Sequence, residues 1–261
     1  MTSLFRLLAP SPRAIERDAF ELVLPDGRAI EVARVRDPRA RRLKLSVDER
    51  GARLTLPLRT SAATGERFVA EHAAWLHAQL QRFASEASTT LVRDQTTHLP
   101  LRGRAVPLRW EPGRTTRLLS DGDAEALVFS LPLQARDAAI QRAARDFYEA
   151  QGRTDVGRWL PRYLPGLPRA PRQVRFKVMS SQWGSLAPDG SVTLDLSLVL
   201  ARPSAFEYVL VHELCHLIHH DHSRAFWREV EARFPAWRDE RRYFNAEGRR
   251  LKATLRALIG A

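Results

Sequence analysis

Ser204-Ala205-Phe206-Glu207-Tyr208-Val209-Leu210-Val211-His212-Glu213-Leu214-Cys215-His216 carries more information than any other run in this chain. Ser204 with Glu207 three residues on is a capping box, and Pro203 precedes it, so a helix is expected to begin here. At about 100° per residue, His212 and His216 fall roughly 40° apart and one turn along, on the same face. Two imidazoles so placed can bind one zinc ion, which takes nitrogen ligands at about 2.0–2.1 Å. Glu213 stands about 100° round from His212, beside the ligand stripe and not on it. A carboxylate there can take a proton from water activated by the metal, which is the general-base role of an HExxH motif.

A catalytic zinc site needs a third protein ligand and an open position. His222 is the candidate, with His219 as its rival. In a continued helix His219 would lie on the His212 stripe but some 10 Å along the axis, and three ligands in one straight row cannot surround a metal tetrahedrally. The chain must turn back instead. Asp221 and Ser223 are suitable turn or N-cap residues for that reversal, which leaves His219 and His220 as turn residues or supports behind the ligands. Leu210, Val211, Leu214 and Leu217 are expected to face the core, and Cys215 to behave as a small buried hydrophobe.

Working back from this helix, Ser191–Leu196 and Gln173–Met179 are strand candidates joined through the loop 180–190, and Pro165, Pro168 and Pro171 end a long helical segment that begins near Gln134. Gly152 and Gly157 suggest a break in that segment, whose apolar side carries Ile140, Phe147, Tyr148 and Trp159. Further toward the N-terminus the pattern is β-rich. Phe20–Leu24 and Ala29–Val35 flank Pro25-Asp26-Gly27, and Leu43–Val47 and Ala52–Leu56 flank Asp48-Glu49-Arg50-Gly51, which is hairpin grammar in both cases. A helix is expected over Ala62–Phe83, with Phe68, Ala73, Trp75, Leu76 and Leu80 buried. Strand-like pieces then return, among them Ala105–Trp110 and Ala126–Leu131, with turns at Pro112-Gly113 and Asp121-Gly122-Asp123. Helical segments near Arg224–Phe234, Ala236–Asn245 and Arg249–Ile259 close the chain. No internal repeat is visible. The organisation expected is a flexible N-terminus over 1–19, a β-rich region over 20–131 and a catalytic region over 132–261.

The chain has 42 Lys+Arg against 30 Asp+Glu, a net charge of +12, and only Lys44, Lys177 and Lys252 are lysines. The surplus is diffuse, so it predicts at most a weak attraction to polyanions such as nucleic acid. Cys215 is the single cysteine, which excludes an intrachain disulfide scaffold. Arg6, Pro10, Pro12 and Arg13 interrupt the first residues, and no apolar run approaches membrane-spanning length, so a soluble cytoplasmic protein is expected.

The spacing His212–His216–His222 matches that of metzincin peptidases, but His219 stands where those have glycine, and no methionine follows the third histidine. The chain more closely resembles the YgjP-like family of bacterial zincins and, more loosely, SprT-like metallopeptidases. The resemblance lies in Trp183-Gly184-Ser185, Leu194-Asp195, Tyr208-Val209, His212-Glu213-Leu214-Cys215-His216-Leu217, His222-Ser223, Phe226-Trp227 and Phe234-Pro235. Leu186 and Asp195 depart from the cysteine and asparagine usual in that family. The resemblance implies an α+β fold, a zincin-like core behind a β-rich N-terminal region, with zinc held by His212, His216 and His222 and Glu213 as base. It also implies a sheet edge lining the cleft, able to pair with an extended peptide; the Trp183 loop and the strand Ser191–Leu196 are its candidate walls, and Trp183, Gly184 and Ser185 its candidate substrate contacts.

A zinc metallopeptidase acting on peptide or protein substrates is therefore the expected function. Two alternatives use the same residues differently. One is a metal-dependent hydrolase of nucleotide phosphate anhydrides, against which stand the missing Gly-rich phosphate loop and an all-histidine ligand set. The other is a nucleic-acid-associated module with a structural zinc.

Overall fold

A computed structural model of the protein describes residues 15–48, 51–85, 90–122 and 126–261, which fall into two compact units dividing between residues 86 and 87. Of the expected flexible segment 1–19, residues 1–14 lie outside the described residues, while Glu16–Ala19 belong to a strand. Residues 49, 50 and 123, which fall in two of the expected turns, are also outside them.

The first unit holds β1 (Glu16–Val23), β2 (Ala29–Arg36), β3 (Lys44–Asp48), β4 (Gly51–Leu56), α1 (Ala62–Glu71) and α2 (Ala73–Ser85). Its sheet runs in the order β1-β2-β4-β3, with β2 and β4 parallel and the other pairs antiparallel. Period-two alternation turns Ala52, Leu54 and Leu56 inward, and they pack with Val32, Val69 and Leu76. The single helix expected over 62–83 is two. His72 Nδ1 lies 2.8 Å from the Phe68 carbonyl, the acceptor its own backbone N–H would use in a continuing helix, and that N–H goes to the Val69 carbonyl instead. Trp75, expected inside, is exposed, because after this break the next residue, Leu76, takes the core position.

The second unit begins with β5 (His98–Leu101), β6 (Arg104–Pro112), β7 (Arg117–Asp121) and β8 (Ala126–Leu131) in the order β5-β6-β8-β7. Then come α3 (Asp137–Tyr163), β9 (Gln173–Lys177), β10 (Gly184–Leu186), β11 (Ser191–Asp195), a 3-10 turn over Leu196–Leu200, α4 (Pro203–Cys215), α5 (Arg224–Arg233) and α6 (Trp237–Ile259). The fold is mixed α+β with a β-rich N-terminal part. The boundary expected between 131 and 132 lies inside this unit, where Leu127, Phe129 and Leu131 share one core with Ile140, Phe147 and Tyr148 of α3.

Two expected breaks are absent. Helix α3 passes through Gly152 unbroken, because a Cβ there would meet Phe176 Cζ at 2.7 Å and Val199 Cγ2 at 3.1 Å. The glycine serves close packing, not termination. Likewise the two helices expected over 236–259 are one, with Gly248 in its middle. The second half of α3 braces the segments around α4: Trp159 meets Phe206 edge-on at 5.1 Å, and buried Asp155 pairs with Arg102 at 2.9 Å. Arg102 and Gly103 both have positive φ, as a two-residue hairpin turn requires, and their N–H groups donate to the carbonyls of Val199 and Leu200. The tip of the β5–β6 hairpin is thus fastened to the turn that leads into α4.

The capping box expected at Ser204 does not form. Pro203 occupies the first helical turn, where its missing N–H costs nothing, and Arg202 is the N-cap without a side-chain capping bond, its guanidinium going to Glu240 at 2.9 Å instead. Glu207 is drawn away to α3, accepting from Tyr163 Oη at 2.8 Å and from Arg162 Nη2 at 2.7 Å.

Candidate metal centre

Helix α4 is apolar all round: Phe206, Val209, Leu210, Val211 and Leu214 are buried, and so is Cys215, whose thiol burial pushes up to about 12. The helix ends at Cys215, yet His216 keeps helical angles as its cap, so His212 and His216 remain one turn apart on one face. The chain then reverses. Asp221 Oδ1 accepts the Ser223 N–H at 3.2 Å, and Ser223 opens α5 with its Oγ accepting from Phe226 N–H at 3.4 Å. This turn carries His222 back over α4 until its Nε2 is 3.1 Å from His212 Nε2. One ligand atom from each of His212, His216 and His222 lies within 4.8 Å of the others.

Phe226 forms the floor of this cluster. It is fully buried, stacks on His216 at 4.5 Å, and meets His212 and His222 edge-on at 4.9 and 4.8 Å. Trp227 stacks on His222 from the outside at 5.8 Å. His216 Nδ1 lies 2.9 Å from the His219 carbonyl, a bond that fixes the tautomer and leaves Nε2 with a free lone pair. His219 thus contributes its backbone behind a candidate ligand, in the supporting position expected of it.

These residues fit a metal ion. Two ligands at about 2.0–2.1 Å in a tetrahedral set sit about 3.3 Å apart, close to the 3.1 Å between His212 and His222. Burial first, then the neighbouring histidines, lowers His212 to about 3, and burial also lowers His216, so both present the neutral imidazole that coordinates. Among the described residues Nδ1 of His212 is buried without a partner, and Nε2 is the nitrogen that faces the cluster.

Glu213 is buried on the same helix, and burial raises its carboxyl to about 8. It lies against β10: a Cβ on Gly184 would meet Glu213 Oε1 at 2.6 Å and Cγ at 2.7 Å. Only glycine lets that strand approach the carboxylate so closely. Two cavities of about 270 and 260 Å³ flank this point and share Gln182, Gly184, His212 and Glu213 in their walls. The second also includes Ser185, His216, His220 and His222.

The strand expected as the cleft edge, 191–196, is instead the middle of the sheet β10-β11-β9, and the edge strand is β10, drawn from the Trp183 loop. Asp195 explains itself as an anchor for that loop. Its Oδ2 accepts from Met179 N–H at 2.7 Å and pairs with Lys252 Nζ at 3.0 Å, while Lys252 also donates to the carbonyls of Met179 and Gln182. Trp183 is half-buried, with Phe244 at 4.4 Å, Lys252 Nζ over its ring at 4.4 Å, and the Gly248 backbone so close that a Cβ there would touch its Cζ2 at 2.7 Å.

Residues 41–247 match the model of the YgjP-like metallopeptidase domain. This chain belongs to the YgjP-like family. It is a metallopeptidase domain, a hydrolase class that uses a metal ion and takes peptide or protein substrates. Among solved structures it is similar to the metallopeptidase zymogen of Pyrococcus abyssi abylysin, at 24% identity over 39% of this chain and 93% of that one, with a TM-score of 0.28, a level that establishes no common fold. No curated protein matches it. No helix among the described residues of this YgjP-like chain is long and apolar enough to cross a membrane.

Sequence reasoning gave no site role to Phe226, Tyr208 or Arg241. Tyr208 lies one turn before His212 and lines the first cavity, a position readable from the i, i+4 spacing. Arg241 reaches the cavity from α6, which no local signal connects to α4.

Proposed function

We propose that this chain is a cytoplasmic zinc-dependent metallopeptidase in which His212, His216 and His222 hold the metal and Glu213 is the general base. The observation that carries this reading is the convergence of three imidazoles beside a buried carboxylate at the junction of two cavities. Three nitrogen ligands would hold the ion with room left for a further ligand, and that donor set favours zinc over magnesium or calcium. Zinc, when bound, supplies Lewis acidity for a peptide carbonyl and lowers the pKa of water toward 7.

The rest is the work of this chain. Glu213, raised to about 8 by burial, lies close to the neutral range where a base is most effective, and a dication nearby favours its ionised form. It takes the proton of the attacking water and passes it to the leaving amine. Gly184 is a positioning residue, because any larger side chain would push the carboxylate aside. Strand β10, an edge strand, offers backbone groups to which an extended peptide can pair, with Ser185 and Trp183 on either side of Gly184 as contacts. Every residue in this scheme falls within the region 132–261 read as catalytic. The lone cysteine, buried and unpaired, suits a reducing compartment.

Elemental analysis with a peptide-hydrolysis assay tests the scheme. Glu213→Gln is expected to keep its metal and lose at least about a hundredfold in turnover. His222→Ala is expected to lose most of the metal, and His219→Ala to keep it. Unchanged turnover in the glutamine variant rejects the base, and loss of metal from His219→Ala with retention in His222→Ala rejects the ligand set.

A further inference from the structure

Arg256 of α6 donates to the Met179 carbonyl at 3.1 Å. Arg238, Arg242 and Arg250 each pair with an acidic neighbour, respectively Glu231, Asp239 and Glu247. Arg241 pairs with none: among the described residues no carboxylate or other acceptor bonds to it. Its guanidinium lies over the rings of Trp227 and Trp237, 5.1 and 5.6 Å from their centroids, and those two indoles stack on each other at 4.5 Å. An aromatic shelf fixes the cation in place and leaves its N–H donors free at their edges.

The place it holds is the wall of the cavity of about 270 Å³ beside His212 and Glu213. Counting along α6 gives the reason, since Arg241, Phe244, Asn245 and Gly248 share one face. Gly248 admits Trp183, and Trp183 and Phe244 form apolar walls. Tyr208 and the exposed Asn245 line the same cavity as Arg241, and so do Gln182, His212 and Glu213 on the side of the candidate metal centre. The cavity thus joins an apolar body to one cation and the neutral Tyr208 and Asn245, with Glu213 as the one acidic residue of its wall. This is the composition of a site for a carboxylate on a short apolar stem.

We infer that this cavity is a specificity pocket that binds a carboxylate of the peptide substrate, with Arg241 as its ion-pair partner and Tyr208 and Asn245 as added donors. The inference rests on the peptidase reading and deepens it. Two sources offer that chemistry, an acidic side chain next to the scissile bond or the free C-terminus of the peptide. The net charge of +12 favours approach of either.

The test uses the full chain and peptides of otherwise identical sequence: one pair differing by Glu for Gln, the other by a free or amidated C-terminus. Cleavage of each is measured as kcat/KM by wild type, Arg241→Gln and Arg241→Lys, and binding of each to the metal-free protein is measured by calorimetry. Wild type is expected to prefer one carboxylate member by about tenfold or more, Arg241→Gln to bring that ratio near one, and Arg241→Lys to restore part of it. The pair that shows the preference names the source. The inference is overturned if wild type shows no preference in either pair, if the preference survives in Arg241→Gln, or if that variant loses the same factor on both members. Because binding is read without metal, a protein that cleaves no peptide but still selects the carboxylate would sink the peptidase reading and leave the pocket standing.

Discussion

Strands β1–β4 and β5–β8 follow the same order and the same directions: an antiparallel hairpin, a parallel pairing of its second strand with the fourth, and a third strand antiparallel at the far edge. The fourth strands also correspond in sequence. Leu54-Thr55-Leu56-Pro57-Leu58 stands against Phe129-Ser130-Leu131-Pro132-Leu133, and Leu54, Leu56, Phe129 and Leu131 are all buried. A helix comes after each sheet. In the first unit it breaks at His72, and its two halves pack against their own sheet. In the second, α3 runs for 27 residues, spends its first half on the sheet, and carries its second half past Phe176, Val199 and Phe206 to brace α4. One module therefore has two uses. What makes the second a site-bearing unit is the length of helix beyond the sheet, not the sheet.

The largest effect expected from this difference is on metal linkage. A ligand that binds only the folded state at about a thousand times its dissociation constant stabilises by about 4.1 kcal/mol, and that gain belongs to the unit that contains the site. Zinc is expected to slow hydrogen exchange in α4, α5 and the second half of α3 while leaving β1–β4 unaffected. His216→Ala should abolish the effect. Equal protection of β4 and α4 by zinc, read by exchange mass spectrometry, would show that the two units do not unfold separately.

Much of the candidate site's arrangement was legible because its signals are local. His212, Glu213 and His216 lie within one turn and a half of helix, and the return of His222 could be read from Asp221 and Ser223. The strands and both hairpins of the first unit were legible for the same reason. What escaped depends on partners distant in sequence. Gly152 and Gly248 look like helix breakers until Phe176 and Trp183 are seen against them, and Glu207 looks like a cap until Tyr163 is seen beside it. The correspondence of the two sheets was hidden because side chains repeat only along the short stretch of the fourth strands: Val32 and Arg34 on β2 stand where β6 has Leu108 and Trp110.

Next in size is the ion pair that fastens the second sheet to the site. Asp155 is buried against Arg102, whose guanidinium bonds both carboxylate oxygens and Gln151. Asp155→Ala leaves a partly buried cation unpaired and is expected to cost about 3 kcal/mol, with weaker zinc retention as the hairpin tip loosens from the 196–200 turn. Denaturant melts with metal analysis check this, and full zinc occupancy in the variant would refute the bracing role. Leu131→Ala and Leu56→Ala form a matched pair at the equivalent position of the two modules. Each is expected to cost about 2–5 kcal/mol in its own unit, but only Leu131→Ala should lower the temperature at which zinc is released. Release shifted equally by both would erase the distinction between the units.

The smallest effect tests the exposed counterpart of Asp155. Asp18 on β1 is half-exposed and bonds Arg34, and that hydrogen bond is the main reason its carboxyl titrates below the ordinary 3.8. A carboxylate with a lowered folded-state pKa contributes stability that is fully present above its ordinary value and is lost as pH falls through the lowered one. Solvent screening keeps that contribution under about 1 kcal/mol, and Arg34 retains Glu66 as a second partner. Asp18→Asn is therefore expected to differ little from wild type at pH 7, to differ less in high salt, and to match it once acid has protonated Asp18. Urea melts between pH 2 and 7 measure the difference. A gap that persists at the lowest pH would mean that the side chain matters for packing or strand pairing, and that its charge is not what Arg34 reads.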